Sequence, residues 1–182
     1  KRLADDIANM SAGRKINTLS QDWGTPEKYV QAVKEFFGGA IDLDPCSNQN
    51  SIVAATTEYM LPRNDGLKDN WNFKRIYVNP PYGRAIVEWA SKMAQEADGG
   101  CEIVAVLPSR TDARWMHDRV FATAQAVCLW RGRISFDNPP PWSKGDAPSI
   151  PSLIAYWGRS DGRFRDAFGD AGRVIDLNKG EP

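Results

Sequence analysis

Apolar residues along this chain recur at two different periods, and the switches between them mark out alternating helices and strands. In "TPEKYVQAVKEFFGG" the residues Tyr29, Val33, Phe36 and Phe37 fall on one helical face. A helix is predicted there, with Thr25 as N-cap, Pro26 at the first helical position and Gly38-Gly39 as the stop. "AIDLDPCS" reads as a short strand ending at Asp44-Pro45, and "RIYV" as a second ending at Asn79. The helical pattern "RAIVEWASKMAQEA" follows, closed by Asp98-Gly99-Gly100. "CEIVAVLP" is almost continuously apolar, as a strand covered on both sheet faces must be. "TDARWMHDRVFATA" is expected to be a helix, and "AVCLW", "GRISF" and "LIAYWG" strands. "NSIVAATTEYM" fits a short helix, a strand near Glu58 to Met60, or both, and "NDGL" is a turn.

Strand and helix alternate from Thr25 to Trp130, which implies crossover connections and a mostly parallel α/β sheet. The last two strands are joined by the Pro/Gly/Ser-rich loop Asp137 to Ser152 and are expected to form an antiparallel C-terminal hairpin. The expected organisation is a flexible arm over residues 1–20, one domain over 21–160 and a polar tail over 161–182 broken only by a short "RVIDL".

Composition changes this picture little. At 182 residues the chain is long enough for a core without disulfides or metals. Its 23 Lys and Arg balance 23 Asp and Glu, so any nucleic-acid surface must be local. Leu107 to Arg133 supplies such a stretch, with five arginines against two aspartates. The three cysteines, Cys46, Cys101 and Cys128, are widely spaced, which indicates neither a zinc site nor a disulfide framework and fits a reducing, cytoplasmic setting. The apolar runs are far short of a membrane span.

Ligands of open α/β sheets bind outside the carboxyl ends of the strands. Polar residues at predicted strand ends are therefore the candidates: Asp44, Asn79, and Ser109-Arg110-Thr111-Asp112. Asn79-Pro80-Pro81-Tyr82 has a specific chemical sense. An exocyclic amino group on an aromatic ring is planar, because its lone pair is delocalised. An Asn side-chain oxygen and the next backbone carbonyl can accept its two N–H bonds and turn the lone pair toward an electrophilic methyl. Pro80 and Pro81 fix φ and leave carbonyls as acceptors, and Tyr82 can stack on the ring. The bland alternative is a stiff turn. "DNPPPW", ending at Trp142, has the prolines without a following helix and reads as a substrate-facing or structural loop. Asp44 could hold an amino group, while Asp65 could equally be a turn former. Glu58 reads as a solvated carboxylate or a ribose acceptor. Arg110, Thr111, Arg114, Arg131 and Arg133 are candidate substrate contacts, the arginines either binding phosphates or being merely solvated. His117 has no neighbouring ligand residues, which speaks against a metal site, and Trp89 and Trp157 read as core.

Seven ordered segments, "WGTP", "IDLDPCSN", "DGLKDNW", "VNPPYG", "VLPSRTDARWMH", "RGRISF" and "PSLIAYW", together resemble the phage-type DNA N6-adenine methyltransferases, a small Dam-like family of prophage genomes. The resemblance covers Trp23 to about Trp157. It implies a Rossmann-like class I fold, S-adenosylmethionine as methyl donor, and double-stranded DNA as partner, with the target adenine flipped into the pocket. It places Thr25, Pro26, Asp44, Cys46 and Ser47 at the cofactor and Asp65 beside the cofactor adenine, and it matches Asn79 to Tyr82 to the catalytic segment. "DPCSN" lacks the F-x-G-x-G ending common in that superfamily, and no inserted target-recognition domain is present. NPPY alone is shared with methyltransferases of RNA guanine and of protein glutamine. Such substrates, or a non-catalytic nucleic-acid-binding or anti-restriction role, are the competing readings. A monomer or a homodimer fits equally.

Overall fold

A computed structural model describes residues 24–136 and 149–177. The arm over 1–20 and the "DNPPPW" loop with Trp142 lie outside those residues. Helix α1 spans Glu27–Phe36, α2 Ile86–Asp98 and α3 Asp161–Phe168. The strands are β1 (Leu43–Asp44), β2 (Thr57–Glu58), β3 (Arg75–Val78), β4 (Glu102–Pro108), β5 (Ala126–Trp130), β6 (Ile134–Ser135), β7 (Ser149–Ile150), β8 (Ser152–Trp157) and β9 (Gly172–Asp176).

Seven of these strands form one sheet in the order β2-β1-β3-β4-β8-β5-β9. Strands β2, β1, β3 and β4 pair in parallel. Strand β8 lies antiparallel between β4 and β5, so β5 runs in the same direction as β4, and β9 closes the far edge antiparallel to β5.

The period-two alternation along the strands sorts side chains into two cores. Tyr77, Val104 and Val106 join Tyr29, Val33 and Phe36 of α1 and Phe164 and Phe168 of α3 on one face. Ile76, Val78, Ile103, Ala105 and Leu107 join Trp89, Ala90 and Met93 of α2 on the other. Trp89 and Trp157 are core residues, as their sequence context suggests. Both faces being covered explains why Ile103 to Leu107 is apolar without a break and wholly buried. The crossover from β3 through Asn79 to Ala85 into α2 and on to β4 is what holds the NPPY segment at the carboxyl edge.

Several expectations are corrected. "LIAYWG" does not form a hairpin with "GRISF": it is inserted into the middle of the sheet, while β6 pairs with β7 in a separate two-stranded ribbon. Six consecutive buried residues in β8 make that central position favourable. The chain after Arg159, expected to be a polar tail, forms α3 and β9, because Phe164 and Phe168 sit one turn apart and both are completely buried. "NSIVAATTEYM" contains strand β2 at Thr57–Glu58. The helix expected over "TDARWMHDRVFATA" narrows to a π-helical turn, Met116–Phe121, which buries Met116 and Val120. Thr25 does not cap α1: Pro26 takes that position, without a side-chain cap bond.

Candidate active site

Strands β1, β2, β3, β4 and β5 all end at one edge of the sheet, and β8 begins there, with Ser152 opposite Pro108. That edge therefore carries Asp44, Glu58, Asn79, Ser109 and Arg131 on successive strand ends. The mixed α/β sheet, parallel through its first four strands, is compatible with a methyltransferase fold.

The ends of β1 and β3 are adjacent, with Leu43 facing Ile76. Asp44 is buried, and its Oδ1 accepts the backbone N–H of Cys46 at 3.1 Å. Burial pushes its carboxyl from an ordinary 3.8 up to about 7, and the charge of Glu58, its register partner on β2, pushes the same way. Burial also raises the Cys46 thiol, which sits between Asp44 and the backbone amide of Asn79. Asp44, Cys46 and Asn79 thus form one contiguous group. The Ser47 hydroxyl beside them is buried and has no hydrogen-bond partner among the described residues. Its backbone N–H is held by the Tyr59 carbonyl at 3.1 Å.

Asp65 approaches this group through its neighbour. Gly66 lies against Pro45 so closely that an added Cβ would come within 1.9 Å of the Pro45 carbonyl oxygen. Trp71 anchors the same turn by donating its indole N–H to the Gly66 carbonyl at 2.8 Å. The Asp65 carboxylate accepts the Leu67 N–H at 3.0 Å and pairs with Lys68 at 3.0 Å. Lys68 accordingly holds it below the usual carboxylate range.

In the NPPY segment, Asn79 is half-buried and Pro80 buried. The Asn79 Nδ2 donates to Thr25 Oγ1 at 3.0 Å, and Thr25 Oγ1 shares a 2.5 Å hydrogen bond with the Tyr77 hydroxyl. Tyr82 turns its hydroxyl inward to the Val106 carbonyl, at 3.3 Å, with the Ser152 side chain also bonded to it. Its ring meets Phe136 edge-on, with centroids 5.8 Å apart.

The remaining candidates are more dispersed. Arg110 is exposed and pairs with Asp112 at 3.3 Å. Arg114 is 93% exposed, with Asp118 at 3.8 Å. Thr111 is exposed, and its carbonyl accepts from His117 Nε2 at 2.8 Å, which gives that histidine a structural role. Arg131 and Arg133 are exposed just beyond β5. No cluster of metal-ligating side chains occurs among the described residues.

Sequence reasoning missed Tyr77, Gly66, Phe136 and Ser152. Tyr77 had a signal, since a residue two before Asn79 on a strand shares its face. Gly66 had only its place in a turn, and the contacts of Phe136 and Ser152 depend on long-range packing.

The DNA N-6-adenine-methyltransferase (Dam) family model matches residues 14–163, and the chain belongs to that family. Membership makes it a Dam-like adenine methyltransferase, with N6 of adenine in DNA as the family's target. No curated protein matches the chain.

Proposed function

We propose that the protein transfers a methyl group from S-adenosylmethionine to N6 of an adenine flipped out of double-stranded DNA, on a Rossmann-like class I fold. The observation that carries this reading is the adjacency of Asp44 and Asn79, on neighbouring strand ends of one sheet and joined through Cys46. Family membership and the carboxyl-edge position support it.

The β1 end fits the cofactor on three counts. It holds a buried carboxyl, an unpartnered buried hydroxyl at Ser47, and a glycine turn packed on Pro45. Bound S-adenosylmethionine supplies an electrophilic methyl on a sulfonium. Asp44 would take the amino group of its methionine moiety, Ser47 and Cys46 would line that moiety, and Asp65 would face its adenine. Pro26 would pack beside them. At β3 the Asn79 Oδ1 and the Pro80 carbonyl would accept the two N–H bonds of the target amino group. Pro81 stiffens that turn, and Tyr82, fastened at Val106, would bound the base pocket. Holding both protons would direct the nitrogen lone pair at the methyl. The C–N bond would form as the methyl's bond to sulfur breaks, leaving a neutral thioether, and the surplus N6 proton would then pass to solvent. Arg110, Thr111, Arg114, Arg131 and Arg133 would meet phosphates and flanking nucleotides along the same edge. Trp142 lies beyond the described residues and is proposed as a further DNA contact. The domain that does this runs past residue 160 through β9, because α3 and β9 pack into the same core and sheet.

Incubation with labelled S-adenosylmethionine and DNA of varied sequence, followed by digestion to nucleosides, tests the reading. N6-methyladenine is expected; its absence from DNA with label appearing in RNA or protein would contradict it.

A further inference from the structure

Thr25 is buried at the start of α1, yet its hydroxyl makes no cap bond to that helix. It reaches across to β3 instead. Tyr77 and Asn79 are two residues apart on one extended segment and so project to the same face, the one covered by α1. The Thr25 hydroxyl lies between them, 2.5 Å from the Tyr77 hydroxyl and 3.0 Å from Asn79 Nδ2. A threonine hydroxyl has a single hydrogen. When that hydrogen points to Tyr77, only lone pairs face Asn79, and the amide must present its N–H₂ end to Thr25. The Oδ1 end then points away, and no donor among the described residues takes it up.

We propose that Thr25 and Tyr77 are positioning residues that set which end of the Asn79 amide faces the target amino group. The proposal rests on the reading of Asn79 as acceptor for adenine N6, and it moves Thr25 from the cofactor to the nucleophile's side of the site. The two ends of a carboxamide have nearly the same shape and opposite hydrogen-bonding sense. A flipped Asn79 would place N–H donors against the N–H donors of the substrate and exclude the reactive pose. The selection requires the Thr25 hydroxyl to donate to Tyr77; a Tyr77 donor would leave the Thr25 hydrogen free to meet Asn79 Oδ1.

Thr25→Val removes the hydroxyl at nearly constant volume, and Tyr77→Phe releases the Thr25 hydrogen to turn toward Asn79. Each is measured with DNA substrate for kcat and by calorimetry for S-adenosylmethionine affinity, alone and combined with Asn79→Asp. A carboxylate has two equivalent acceptor oxygens, so an aspartate has no orientation to lose. Thr25→Val is expected to lower kcat about tenfold or more, the effect of one lost hydrogen bond with an unfavourable amide pose added. Cofactor affinity should hold, and Thr25→Ser should recover most of the rate. In the Asn79→Asp background the same change should cost no more than about twofold, because the coupled groups no longer act together. If Thr25→Val does not fold, Thr25→Ala and Tyr77→Phe give the same comparison. The proposal is overturned by an unchanged kcat, by an equal loss in both backgrounds, or by a loss confined to cofactor affinity. Asn79→Ala separates the two levels. If it leaves activity intact, the assignment of Asn79 fails; if it is inactive while Thr25→Val is fully active, only the positioning role fails.

Discussion

Asp44 and Glu58 stand in register on adjacent parallel strands, and the second carboxylate helps to keep the first protonated. The larger cause is burial, which brings the Asp44 carboxyl to about 7. A folded value above the unfolded 3.8 means that the native state holds this proton more tightly than the unfolded chain does. Its contribution to stability is therefore fully present below the unfolded value and is lost as pH rises through about 7. Thermal melts from pH 5 to pH 8 should show the wild type losing more stability than Asp44→Asn, which has no proton to lose. Cofactor binding should run the opposite way. An ammonium group beside Asp44 favours the carboxylate, so affinity should rise through pH 7 with release of a proton. Calorimetry in buffers of different ionisation enthalpy reads that proton directly, and its absence would remove Asp44 from the cofactor site.

Gly66 tests whether the Asp65 turn belongs to the same site. A Gly→Ala change at an ordinary backbone angle normally stabilises a protein by about 0.4–1 kcal/mol. Here the new Cβ would meet the Pro45 carbonyl oxygen at 1.9 Å and the Trp89 ring at 2.7 Å. Gly66→Ala should instead destabilise by about 1–3 kcal/mol in denaturant titration, as overpacking does. It should also weaken S-adenosylmethionine binding at temperatures where the protein remains folded, because it pushes Asp65 away from the β1 end. Lost stability with unchanged affinity would mean that Asp65 is only a turn former.

The exposed arginines make a prediction about salt. Arg110 follows β4 and Arg131 follows β5, the two strands that flank β8, on the edge that carries Asn79. If each meets a phosphate, Arg110→Ala and Arg131→Ala should weaken binding evenly across DNA sequences. Each should also reduce the slope of log affinity against log salt by about 1. Unchanged slopes would return these residues to the role of solvated surface.

The parts of the fold that were legible in the sequence are those written in local pattern. Strands β1, β3, β4 and β5 and helices α1 and α2 each carry an apolar run or face of the appropriate period, bounded by Pro or Gly. The strand–turn–helix context of NPPY follows from that pattern alone. What was not legible depends on residues distant in sequence. Nothing local to "LIAYWG" says that it enters between β4 and β5, although six apolar or small residues in a row already favour a central strand over a hairpin edge. Helix α3 is mostly polar and is held by Phe164 and Phe168 against Phe36, more than a hundred residues earlier, while Phe164 also stacks on Tyr156 of β8. Thr25 has the residue type and position of a helix cap, but the Tyr77 and Asn79 side chains compete for its hydroxyl and win. Of the candidate site, the placement of Asp44 and Asn79 at strand ends was legible, and the hydroxyl contacts that surround them were not.

The central claim is that Asn79, held at the end of β3 beside the Asp44 group, directs methyl transfer to adenine N6. Methylation-sensitive sequencing of DNA from cells expressing the wild type or Asn79→Ala tests it most directly. The wild type should deposit N6-methyladenine in a defined sequence context. The alanine variant should fall by about 10²–10³-fold, the loss typical when one preorganised transition-state hydrogen bond is removed. Methylation that persists undiminished in Asn79→Ala, or a wild type that marks no adenine, would contradict the account.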